Sequence, residues 1–186
     1  MIITITGDPG SGKSTLGEKL AKELDYDRYY IGQIRRDAAK KMGMTLAEYN
    51  KYGETHPETD LAVDDYQKTL GETKDAFIIE GRTSWFLIPK SLKIYIEVDP
   101  KEGATRIFND LQKENIRNEG DNLTSVEDVL NSNIKRAASD ELRYKKYYNK
   151  NCFDKNNFDF VIDTTNLTIN EAYLEVLKFI QENTKI

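Results

Sequence analysis

Residues Gly7 to Thr15 read "GDPGSGKST", a match to GxxxxGK[ST], placed directly after "IITIT" (Ile2 to Thr6) and directly before an amphipathic helical pattern. The context gives the motif its meaning. A strand running into a glycine-rich loop and then a helix turns successive backbone N–H groups and the helix N-terminus toward phosphate oxygens. Lys13 is then expected to neutralise the β and γ oxygens, and the Ser14 hydroxyl to ligate Mg²⁺. The expected ATP cradle comprises Gly7, Asp8, Pro9, Gly10, Ser11, Gly12, Lys13, Ser14 and Thr15.

Outward from this loop, apolar runs at 2–6, 28–31, 76–80, 93–98 and 158–163 alternate with helical patterns, which predicts an α/β fold with a mainly parallel sheet covered on both faces. Leu16, Leu20, Ala21 and Leu24 share one helical face, as do Ile169, Ala172, Tyr173, Val176, Leu177 and Ile180 near the end of the chain. Thr45 with Glu48, Thr168 with Glu171, and Asp99 followed by Pro100 and Glu102 are helix-start signals. Capping accounts for Asp99 without a metal role. The polar stretches Lys113 to Ser125 and Asn149 to Asn157 read as loops.

The length of 186 residues suits one domain with mobile inserts. Hydrophobic residues make up 38%, and no apolar run approaches the ~18 residues of a membrane span. A soluble chain is expected. The start lacks a basic stretch with a cleavage site, so no secretory leader is expected. One cysteine, Cys152, permits no internal disulfide and agrees with a reducing cytoplasm. A net charge of −5 disfavours nucleic-acid and membrane-surface partners and points to a small one. No DxxG occurs, and "NKYG" and "NKNC" lack the aspartate of a guanine-reading NKxD, which disfavours a GTPase switch.

A hydroxyl acceptor benefits from a carboxylate base, whereas a phosphate monoester, with a second pKa of about 6, is already anionic and calls for arginines. Three places fit. "YIGQIRR" reads as a strand ending at Gly32 and a helix presenting Arg35 and Arg36, while "FIIEGRTSW" brings Arg82 to the carboxyl edge of the sheet. The third is a long helix from about Ser125 to Tyr148, with an expected core face of Val126, Val129, Leu130, Ile134, Ala137 and Leu142. On another face Arg136 and Arg143 flank Asp140, either as a phosphoryl clamp or as an ordinary solvated stripe.

Together these residues resemble the nucleoside monophosphate kinases, in particular the short archaeal-type cytidylate kinases and their bacterial relatives. The likeness spans nearly the whole chain. The family's SxGxxxR corresponds to "YIGQIRR" with Gly32 and Arg36, its EGR to Glu80, Gly81 and Arg82, and its lid-side ERI to "ATRIF" with Arg106. RxxSExxRY corresponds to "RAASDELRY", with Arg136, Ser139, Asp140, Arg143 and Tyr144, and "VIDTT" fits the final strand. The resemblance implies a three-layer α/β/α P-loop NTPase fold with a five-stranded parallel sheet, an acceptor-binding insert near 32–72 and a lid near 110–135. It implies that Arg36, Arg82 and Arg143 hold the acceptor phosphate, that Arg106 and Arg136 close over the transferring group, and that MgATP phosphorylates CMP or dCMP. A monomer or weak homo-oligomer in the cytoplasm is expected.

Asp60, Asp64 and Gln67 share one helical face and match polar acceptor-site positions, where a carboxylate accepts from the cytosine 4-amino group; an exposed acidic face is the competing reading. Gln33, Asp65, Tyr66 and Asp110 depart from the family pattern. Two other functions remain open: a P-loop kinase for another small acceptor, a different nucleotide or a hydroxyl compound such as shikimate, and a non-catalytic ATP-binding regulator. His56 reads as a turn residue, Trp85 as packing, and Cys152 lacks an activating cation cluster.

Overall fold

The computed structural model describes residues 1–113 and 123–184, so most of the loop expected between Lys113 and Ser125 lies outside the described residues. Five parallel strands form one sheet in the order β2-β3-β1-β4-β5. They are β1 Ile2–Gly7, β2 Asp27–Tyr30, β3 Phe77–Glu80, β4 Leu92–Glu97 and β5 Phe160–Asp163. β1 is buried along its whole length and is β-branched up to its terminal glycine, the composition a central strand covered on both faces requires. Its Ile3 and Ile5 side chains share one face, and Ile2 joins the opposite core. The two buried threonines on that second side are satisfied: Thr4 Oγ1 pairs with Ser91 Oγ at 3.1 Å, and Thr6 donates to the Gly81 carbonyl at 2.8 Å.

Helices cover both faces. α1 (Lys13–Leu24) and α8 (Ile169–Asn183) pack on one through Leu16, Leu20, Ala172, Val176 and Ile180, as their periodicity predicts. On the other lie α2 (Ile31–Lys41), α4 (Glu58–Thr73) and the short α5 (Ser84–Leu87), contributing Ile31, Val63 and Leu70 beside Ile88. α3 (Leu46–Gly53) sits between α2 and α4 in sequence, so three helices separate β2 from β3. α6 (Pro100–Leu111) and α7 (Val126–Tyr148) pack together through Ala104, Ile107 and Val129. No helix among the described residues is long and apolar enough to cross a membrane.

The helix starts obey the local chemistry. Thr45 and Thr168 form complete capping boxes with Glu48 and Glu171, and the Asp99 carboxylate accepts from the Lys101 and Glu102 amides at 2.9 and 3.0 Å. Three expectations change. β2 ends at Tyr30, and Gly32 belongs to the first turn of α2. The expected loop at 149–157 contains a 3₁₀ turn at Lys155–Asn157 and the fully buried Cys152. On α7, Ile134 and Leu142 are exposed, at 57% and 54%, while Asp140, Arg143 and Tyr144 are buried beside Val129. The apolar stripe read as a core face therefore points partly outward, because the inward side of this helix faces charged partners described below.

One backbone approach sets the position of the phosphate loop. Gly10 has φ 77°, and a Cβ placed on it would lie 2.1 Å from the Gly103 carbonyl oxygen of α6. Gly103 is equally constrained, since its own Cβ would meet the Pro9 carbonyl oxygen at 2.5 Å. An interior helix glycine replaced by alanine normally gains about 1 kcal/mol. Overpacking two backbones costs about 1–3 kcal/mol and acts in the opposite direction. Gly103→Ala is therefore expected to lower stability by up to about 2 kcal/mol, read as a reduced urea midpoint with unchanged slope.

Candidate active site

Glycine geometry opens the N-terminus of α1. Gly12 occupies the left-handed region at φ 85° and caps α1 without a side-chain hydrogen bond, so the first-turn amides stay open toward the loop. The Asp8 carboxylate faces the opposite way, accepting from the Tyr95 hydroxyl at 2.6 Å and the Val98 amide at 3.2 Å. It anchors the loop to β4 and does not line the cavity that the other eight cradle residues help to enclose. Lys13 folds back, its Nζ donating to the Asp8 carbonyl and to Ser11 Oγ at 3.3 Å. Burial of the ammonium, with the positive charge of Arg82 next in importance, lowers the Lys13 pKa to about 7.

The cavity, about 530 Å³, runs from this loop past the ends of β1, β2 and β3 to α4, α6 and α7. Six cationic and five acidic side chains line it, a cationic excess in a chain of net charge −5. Arg36, buried on α2, donates from Nη1 to the Tyr30 hydroxyl at 3.0 Å. Arg82, at the end of β3, pairs with the Asp140 carboxylate of α7, and Arg136 stands one turn before that carboxylate on the cavity wall. Arg106 donates to Glu102 at 2.9 Å and to the Thr164 and Thr165 carbonyls at 2.8 and 3.1 Å, tying α6 to the β5–α8 connection. Four of the five expected arginines thus share one cavity.

Arg143 stands behind that wall. It is 0% exposed, donates to Asp60 Oδ1 at 2.6 Å, and pairs with Asp140 through its other Nη nitrogen. Asp60 also binds Arg35, which in turn donates to Asn50 at 3.0 Å. In this conformation Arg143 does not line the cavity, and its guanidinium holds two carboxylates. The solvated-stripe reading fails for Asp140 and Arg143, which are buried, while Arg136 is half-buried on the cavity wall.

The acidic face of α4 is also interior, with Asp60, Asp64 and Gln67 at most 3% exposed. Asp64 accepts from Gln67 Nε2 and Thr83 Oγ1, both at 2.9 Å, and from the Tyr148 hydroxyl. Ser84 completes the cluster by donating to Gln67 Oε1 at 2.6 Å. Burial pushes the Asp64 carboxyl above the usual range, and the Tyr148 and Thr83 hydroxyls oppose that rise. Beside the phosphate loop, the buried Glu80 accepts from Arg28 Nε at 2.6 Å, while its Oε2 has no hydrogen-bond partner among the described residues. Burial raises its pKa too.

Sequence reasoning singled out neither Tyr30, Thr83 nor Tyr148, and no local pattern marks them: each becomes informative only once distant elements meet. Gly32 and Gly81 line the cavity. His56 sits in the turn before α4 with its ring stacked on Tyr52 at 3.6 Å. Trp85 packs between Phe86 and Phe158, with ring centres 5.2 and 5.5 Å away, and burial pushes the Cys152 thiol up to about 11. These three sit outside the cavity lining.

A parallel sheet with a glycine-rich loop at its carboxyl edge, and arginines converging on the same cavity, defines a phosphotransferase of the P-loop kinase class. The model of the cytidylate kinase-like family matches residues 2–166, and the chain belongs to that family. It is 34% identical over 174 residues to the cytidylate kinase of Methanocorpusculum labreanum, covering 93% of this chain and 92% of that protein. It is 33% identical over 186 residues to the cytidylate kinase of Thermoplasma volcanium, covering 98% and 92%. Among solved structures, an uncharacterized protein from Eubacterium ventriosum superposes with TM-score 0.68 at 17% identity over 97% of this chain and 98% of that one. A shikimate kinase from Bacteroides thetaiotaomicron gives 0.64 at 13% identity with the same coverage. These structural likenesses speak to fold alone. The chain is a nucleoside monophosphate kinase that uses ATP as donor.

The lowered Lys13 pKa has a signed consequence for ATP binding. At pH 8 the empty site holds Lys13 mostly neutral, and phosphate oxygens favour the charged form, so binding takes up about one proton. The ATP dissociation constant is expected to rise by up to about tenfold per pH unit between pH 7 and 9, and to flatten below 7. Calorimetry in buffers of different ionisation enthalpy measures the uptake, which Lys13→Ala is expected to abolish.

Proposed function

We propose that this kinase transfers the terminal phosphoryl group of MgATP to CMP or dCMP, giving the nucleoside diphosphate and ADP. The observation that carries the reading is the engagement of every carboxylate in the acceptor half of the cavity. Asp60 is held by Arg35 and Arg143, Asp140 by Arg82 and Arg143, and Asp64 by three neutral donors. Asp60 and Asp140, each neutralised by two arginines, are poor bases for a hydroxyl acceptor such as shikimate. An acceptor phosphate brings its own anionic nucleophile and needs only cations to seat it. Arg36 and Arg82, which line the cavity, would supply them, with Arg136 on the same wall and Lys13 in the phosphate loop.

In this reading an acceptor phosphate oxygen attacks the γ-phosphorus in line, the bond to the ADP oxygen breaks, and catalysis is electrostatic. Arg106, fixed against Thr164 and Thr165, lies on the donor-nucleotide side of the cavity. Arg143 acts at one remove, by positioning Asp140 and Asp60. The Ser14 hydroxyl and the Glu80 carboxylate, whose Oε2 has no hydrogen-bond partner among the described residues, are the groups that would hold Mg²⁺, directly or through its water, and the ion would neutralise charge on the β and γ phosphates.

Base choice rests on Asp64. A carboxylate offers about four lone-pair directions, three of which Gln67, Thr83 and Tyr148 use. The remaining acceptor suits the cytosine 4-amino group and leaves the carbonyl of uracil without a donor. A small nucleotide acceptor, an acidic chain and one buried thiol fit an enzyme of the reducing cytoplasm acting as a monomer or weak homo-oligomer.

ADP release from MgATP with CMP, dCMP, UMP, AMP, GMP or shikimate, one at a time, tests the assignment. A selective response to CMP or dCMP is expected; a preference for another acceptor overturns it. Arg82→Ala is expected to lower kcat/KM for the acceptor about 100-fold while ATP affinity stays within twofold, and unchanged acceptor kinetics would remove Arg82 from the clamp.

A further inference from the structure

Tyr30 is the last residue of β2, at the position that is serine in the family's SxGxxxR pattern, and it lines the cavity floor between the phosphate loop and Arg36. Its hydroxyl accepts the 3.0 Å hydrogen bond from Arg36 Nη1. The ring occupies space that only glycine leaves open: a Cβ on Gly32 would lie 2.7 Å from Tyr30 Cε2 and 3.2 Å from Arg36 Nη1. Two residues earlier on the same side of the strand, Arg28 donates to the Ser14 carbonyl of the phosphate loop at 2.9 Å and to Glu80 at 2.6 Å. The Arg28 guanidinium stands 5.6 Å from the centre of the Tyr30 ring. One side of β2 thus touches the donor loop through Arg28 and the acceptor-side arginine through Tyr30.

We propose that Tyr30 is a positioning residue that fixes the Arg36 guanidinium for the acceptor phosphate and links its placement to the phosphate loop. A long arginine side chain carries roughly 2 kcal/mol of rotamer freedom, and binding must remove it unless the protein has already done so. A phenol hydroxyl on one Nη nitrogen, over a glycine that clears the space, removes part of it before the ligand arrives.

The proposal rests on the phosphomonoester-acceptor reading, and wild-type turnover tests that reading separately. Steady-state kinetics of Tyr30→Phe, of Arg36→Met and of the double variant, on whichever nucleoside monophosphate the wild type prefers, provide the test. Tyr30→Phe keeps the ring and removes only the acceptor oxygen. The expected result is an acceptor KM raised about tenfold, an ATP KM within twofold of wild type, and an unchanged melting temperature. In the Arg36→Met background the same change is expected to have no further effect on acceptor KM. Fully additive effects, an unchanged acceptor KM, or equal rises in both KM values would overturn the proposal, the last by reducing Tyr30 to packing. A wild type that phosphorylates no nucleoside monophosphate would overturn the acceptor reading and this proposal with it; a preference for one other than CMP or dCMP would overturn only the former.

Discussion

Arg143 carries its charge at 0% exposure, and the rest of the acceptor site is arranged around making that tolerable. An unpaired ion in such a place costs several kcal/mol, and even a paired one stabilises little against a hydrophobic substitute of equal volume. Its value here is directional. Asp60 comes from α4 and Asp140 from α7, so the guanidinium can be satisfied only when the two helices meet in one register. Each carboxylate then holds a second arginine, Arg35 or Arg82, producing a chain of five alternating charges that ends at the cavity. Three cations against two anions leave positive charge in the region where a phosphate is to be held. Removing Arg143 would leave Asp60 with Arg35 and Asp140 with Arg82 as single cationic partners, and breaking buried pairs in this way costs about 3–5 kcal/mol, a large share of the roughly 5–15 kcal/mol that stabilises a domain.

At the other end of the cavity the constraint is steric before it is electrostatic. Gly10 against Gly103 brings the loop and α6 into backbone contact, and Asp8 ties the same loop to β4. With its backbone fixed this tightly, the loop holds Lys13 close to Arg82 and Arg136, an arrangement unfavourable to the ammonium while no anion is present. The two ends share one feature: basic side chains are brought together and desolvated in one cavity, where an anion would complete the charge balance.

Much of the scaffold was legible. The phosphate loop, the order of strands and helices, the inward faces of α1 and α8, and the Thr45, Thr168 and Asp99 caps all follow from interactions among residues close in the chain. α7 was legible in length but not in orientation. Apolar periodicity assumes that water lies on the polar side; here the polar side faces a cavity and an ion network, so Asp140, Arg143 and Tyr144 are inside while Ile134 and Leu142 face solvent. The same inversion buried Asp60, Asp64 and Gln67, which sequence alone left undecided between a binding face and a solvated one.

By itself, then, the sequence determined that this chain builds a phosphate cradle on a parallel sheet and supplies arginines at the right strand ends, because glycine conformations, caps and strand–helix alternation are local properties. Only the tertiary structure decided which charges pair, which arginine stands outside the cavity, that Tyr30 and Thr83 line it, and that Tyr148 bonds Asp64. Those outcomes depend on desolvation and on partners such as Arg82 with Asp140, or Arg143 with Asp60, which lie far apart in the chain and meet only when β3, α4 and α7 converge.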